Sequence, residues 1–148
     1  MQVEVGGKLL PSQTLDVALT SPAIFTLNGT GTGIAAALNQ DGTVNSPANP
    51  AARGSFVTLF ANSAAPWSAV MGDGLVLSDA HPQFGGFANT SIFGIQTPVA
   101  YLGNSPGSVT ALWQLNILLP QNLFPSTAAQ LRIVGPNNLT QRVTIAIR

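Results

Sequence analysis

The chain has no cysteine, one lysine (Lys8), one histidine (His81), one tyrosine and two tryptophans, and only 7% of its 148 residues are charged. Each shortage excludes something. Without cysteine there are no disulfides, thiolate metal sites or cysteine nucleophiles. One histidine leaves too few strong ligands for zinc. Soluble domains carry ~25% charged residues, so the deficit here is several-fold, and five basic residues only balance five acidic ones. A neutral chain offers no basic footprint for nucleic acid and no polybasic patch for a membrane surface. Glu/Lys-rich heptads are missing, which removes coiled coils. Disorder is also disfavoured, because 45% of the residues are apolar and disordered chains are poor in such residues.

Long apolar runs are missing too. No charged residue occurs from Ala80 to Leu131, yet Pro82, Pro98, Pro106, Pro120 and Pro125 interrupt that stretch, so no ~20-residue spanning helix fits. One Tyr and two Trp cannot build the two aromatic girdles of an outer-membrane barrel, and no membrane insertion is expected. The opening Gln2-Val3-Glu4-Val5-Gly6-Gly7 has no basic and apolar leader pattern, and the chain reads as cut from a longer protein.

What is present is strand signal. Phe56–Phe60, Ala111–Leu119 and Val143–Ile147 are short, rich in β-branched and aromatic residues, and bounded by turn residues. In the second run Trp113, Leu115 and Ile117 alternate with Gln114 and Asn116, the period of a half-buried strand. Gly-Gly, Asp-Gly, Ser-Pro and Asn-Pro breakers separate the runs. The best helix candidate, Ile34–Leu38, is too short to persist. This pattern predicts an all-β chain, an antiparallel β-sandwich in residues 21–148.

Residues 1–20 read as a separate β-hairpin, with Val3–Gly7 as one strand and Leu15–Leu19 as the other. They parallel Arg132–Pro136 and Val143–Ile147 at the far end. Any two amphipathic hairpins share this much. The sharper reading makes the N-terminal hairpin the tail of a preceding module, or a donor to another copy, with Val3, Val5, Leu15, Val17 and Leu19 as its assembly residues. Open sheet edges accept such segments because their N–H and C=O groups are unpaired.

Pro22–Thr26, Gly31-Thr32-Gly33, Ala35–Ser46, Asn49-Pro50-Ala51 and Arg53-Gly54 form a pattern that continues in Pro98–Gly103, Ser105-Pro106-Gly107, Trp113–Ile117 and Val143–Ala146. It resembles the Solibacter-type uncharacterised C-terminal domain family of secreted, multidomain bacterial proteins, most specifically in the Asn39-Gln40-Asp41-Gly42-Thr43 block. The similarity covers roughly 22–148 and departs at Ala61–Trp67 and Phe84–Phe87. It implies an immunoglobulin-like sandwich in a secreted or cell-surface bacterial setting and transfers no catalytic residue.

Chemistry-bearing groups are sparse. Asn39–Asn45 alternates oxygen side chains, as a calcium loop does, but Ala37 and Ala48 stand where such a loop needs ligands. A hairpin turn at Asp41-Gly42 is the competing reading, with glycine supplying a positive φ. Gly29–Gly33 lacks both nucleotide-binding spacing and a Walker lysine. Ser78-Asp79-Ala80-His81 gathers triad residue types, but neighbours on an extended chain alternate faces instead of converging, and Ser78 does not sit in a Gly-x-Ser-x-Gly elbow. Asp41 and Asp73 each precede glycine, where a turn accounts for them. Trp67 and Trp113 are the residues that could stack against a sugar; strand alternation favours core packing for Trp113, so Trp67, after Ala64-Ala65-Pro66, is the better exposed candidate. The expectation is a non-enzymatic extracellular structural or interaction module without cofactor. Its partners would be neighbouring domains or identical subunits, in an oligomer or fibre built by strand pairing. The alternative is a carbohydrate-binding sandwich.

Overall fold

The computed structural model describes residues 1–16, 21–62, 74–81, 89–134 and 140–148. Among these residues thirteen strands follow one another: β1 (Glu4–Val5), β2 (Lys8–Leu9), β3 (Ala23–Ile24), β4 (Ala37–Asn39), β5 (Phe56–Asn62), β6 (Val76–Leu77), β7 (Asn89–Ile92), β8 (Ile95–Gln96), β9 (Val99–Asn104), β10 (Ser108–Val109), β11 (Trp113–Leu118), β12 (Ser126–Val134) and β13 (Thr140–Ile147). Every pairing between these strands is antiparallel, and among the described residues there is no helix.

Two sheets make the sandwich. One runs β3-β5-β11-β9, with β4 also on β5; the other runs β13-β12-β7-β8. Lettered in chain order from β3, leaving out β4, β6 and β10, these are A-B-E-D and G-F-C-C′, the strand arrangement of an immunoglobulin-like sandwich. Alternation sets the core. Val57, Leu59 and Ala61 on β5 face Ile117, Leu115 and Trp113 on β11, one register position apiece. The second sheet contributes Ile92, Ala129, Leu131, Ile133, Val143, Ile145 and Ile147 to the same buried cluster. Trp113 lies opposite Ala61, and this large-small pairing lets a bulky ring sit 1% exposed between the sheets.

The outer edge of β13 is not left open. Two short segments lie against it in parallel, through bridges Ile34–Thr144 and Ala51–Ile147, and Ala35 N–H donates to the Thr144 carbonyl at 2.9 Å. The chain between these bridges returns to β5 as β4. Ile34–Leu38 is therefore extended, alternating between the two sheets.

The N-terminal hairpin departs from its expected register. Val5 pairs with Lys8 and Glu4 with Leu9, so Val3–Val5 has Lys8–Leu10 as its partner and not Leu15–Leu19. Gly6 and Gly7 take φ of 57° and 75°, which suits a two-residue type I′ turn and closes the hairpin early. Leu15 is exposed and belongs to no strand; Val17 and Leu19 lie outside the described residues.

Candidate interaction surfaces

Among the described residues, strands β1 and β2 pair only with each other, and every described residue from 1 to 16 is exposed. Cross-strand register places Val3, Val5, Lys8 and Leu10 on one face and Glu4 with Leu9 on the other. Leu9 and Val5 are about 60% exposed. An isolated two-stranded hairpin is marginal in water.

The Asp41 block forms a hairpin turn. Gly42 N–H donates to the Asn39 carbonyl at 2.9 Å and Asn39 N–H to the Thr43 carbonyl at 2.8 Å, with Gly42 at φ 81°. This is a three-residue loop whose last position is left-handed. Asp41 Oδ1 accepts from the Thr43 hydroxyl at 2.6 Å and the Thr43 N–H at 3.0 Å. Those two bonds, the hydroxyl foremost, hold the carboxyl below its ordinary value. The oxygens that alternate in sequence diverge in space: Asn39 and Asn45 turn inward while Asp41 stays outside. Among the described residues no group of three or more His, Asp or Glu side chains could hold a metal ion.

Beside this turn opens a cleft of about 300 Å³, lined among others by Gln40, Asp41, Asn49, Ser55 and Arg148. Several of its polar atoms are already committed. Gln40 Oε1 accepts from Phe56 N–H, the Ser55 hydroxyl donates to the Ala52 carbonyl, and the Asn49 amide donates to Thr43 and Val44.

Ser78, Asp79 and His81 sit on one short segment beside β9. Their segment is pinned through its backbone: Asn104 accepts from His81 N–H at 2.7 Å and donates to the Asp79 carbonyl at 2.9 Å. It crosses so close to β9 that a Cβ on Gly103 would collide with the His81 carbonyl oxygen and the Tyr101 hydroxyl. Tyr101 donates to the Asn104 carbonyl at 2.8 Å, and burial pushes its phenol up. Trp67 and Asp73 lie outside the described residues; Trp113 is core.

Sequence reading missed a set of amide side chains that act as backbone partners. Asn45, fully buried, donates to the Ala146 carbonyl at 2.9 Å and accepts from Ala146 N–H at 2.8 Å. Gln141 does the same for Ile24, at 3.0 and 2.5 Å. Nothing local distinguishes these amides from solvent-facing ones, because their partners are more than 100 residues away in sequence.

Charge is the second missed feature. On the strands of the two sandwich sheets the only charged residues are Arg132 and Arg142, and they are direct cross-strand partners. Both side chains are exposed. No family model, curated protein or solved structure matches this chain.

Proposed function

We propose that this chain is a non-enzymatic structural or interaction module of secreted or cell-surface bacterial proteins, which assembles with a neighbouring module or another copy through its N-terminal hairpin. The observation that supports this is the hairpin itself, self-paired, exposed at every described residue and carrying Val3, Val5 and Leu10 beside Lys8 on one face. Burying such side chains stabilises an interface by roughly 25 cal/mol per Å² of apolar surface. Near-zero net charge adds no long-range repulsion between copies. The setting in secreted or surface proteins rests on the family resemblance of residues 22–148.

The test is oligomeric state by light scattering across a concentration series. The intact chain is expected to gain mass with concentration, and a chain lacking residues 1–16 to stay monomeric at every concentration. Identical masses for the two chains would sink the reading.

A further inference from the structure

We propose that the outer face of the β13-β12-β7-β8 sheet binds a carboxylate-bearing polysaccharide through Arg132 and Arg142. The argument begins with where a nearly uncharged protein places its few charges. No strand of the other sandwich sheet carries a charged residue, and this sheet carries two, both arginines. Arg132 lies directly opposite Arg142, a position where side chains are close enough for like charges to destabilise the pair. Neither guanidinium has a hydrogen-bonding or ion-pairing partner among the described residues, and no acidic residue lies on the sheet. Folding alone gives no reason for this arrangement, and any substitution of either arginine by a neutral residue would relieve it. A carboxylate seated between the two guanidinium groups turns repulsion into charge-assisted hydrogen bonding, for which the planar fork of arginine is suited.

The surroundings favour a sugar chain. In register across four strands lie Arg142, Arg132, Ser91 and Gln96. At strand spacings of ~4.8 Å this row spans ~14 Å, a flat track of two cations followed by a hydroxyl and an amide. Gln130 and Thr144 pair on one side of the row, and Asn89, Val134 and Thr140 lie on the other. A linear polyuronate laid across the strands would meet guanidinium groups at one carboxylate and neutral donors and acceptors at the next sugar's hydroxyls. A nucleic acid fits less well: its affinity rests on many phosphate contacts, and a chain of zero net charge offers no field to attract it.

Biolayer interferometry on immobilised polygalacturonate at low salt tests this, with dextran and duplex DNA surfaces in parallel. Saturable binding to polygalacturonate alone is expected, weakening as NaCl is raised. The Arg132→Gln/Arg142→Gln variant should lose at least about tenfold in affinity, the scale of charge-assisted hydrogen bonds, while Arg148→Gln should bind as the parent does. Thermal unfolding separates a lost site from a lost fold, since the double variant should melt no lower than the parent. The proposal is overturned by no binding to polygalacturonate, by equal binding of the double variant, or by tighter binding to DNA. Loss of concentration-dependent mass in the double variant would also overturn it, assigning the arginine pair to contacts between copies.

Discussion

Asn45 is wholly buried, and its amide pairs with both the N–H and the C=O of Ala146 on β13 while also donating to Asn39 Oδ1. Replacing it by alanine keeps the turn before it but leaves the Ala146 N–H without an acceptor in the interior. A buried, unsatisfied backbone group costs about 1–3 kcal/mol. Asn45→Ala should lower the unfolding free energy by that amount in urea titration with an unchanged denaturant slope, and an unchanged midpoint would disprove the role. Around Asp41 and Gly42 the sequence was informative because a turn is local: the Asp-Gly pair and the Thr43 that bonds it lie within three positions. Asn45, two residues further on, belonged to the same legible block, but its partner Ala146 comes from the other end of the chain.

At the scale of elements, β11 and β1 are opposite cases. The alternation of Trp113, Leu115 and Ile117 with polar residues made β11 readable, since a strand between two neighbours shows its faces in period two. Leu115 is fully buried between Leu59 on β5 and Leu102 on β9. Leu115→Ala should cost about 2–5 kcal/mol, whereas Val5→Ala in β1 should change sandwich stability by less than about 0.5 kcal/mol. Chemical denaturation followed by Trp fluorescence measures both. A comparable loss from the two truncations would mean that the hairpin is part of the sandwich's cooperative unit. The hairpin's register was misjudged for a physical reason: Val3–Val5 and Leu15–Leu19 have strand character, but Gly6-Gly7 closes the turn before the chain can reach Leu15.

For the whole molecule, low charge governs the response to pH. One histidine leaves few groups that change charge between about pH 5 and 8. Asp41 has a folded pKa below its unfolded value, so its stabilising contribution is present above the unfolded value. That contribution fades as pH falls through the folded one. Because the carboxylate is exposed, the fade is shallow. Thermal midpoints recorded from pH 8 to pH 3 should be nearly level until the acidic end, and Thr43→Val should flatten the acidic limb further. A midpoint that drops steeply between pH 7 and 5 would contradict this. Salt belongs to the same scale: with so few charges, added NaCl should act on the arginine pair before it acts on the fold.

The sequence by itself determined the all-β class, the single sandwich, the principal strands and the absence of cysteine chemistry, because composition and two-residue periodicity are local properties. Tertiary structure alone decided which distant residues meet. It paired Asn45 with Ala146 and Gln141 with Ile24, covered the edge of β13 with two parallel segments, and set Arg132 against Arg142. Cross-strand register is a relation between segments, and no window along one segment contains it. Two of the ten charged residues, both arginines, thus acquired a location, opposite one another on one sheet face.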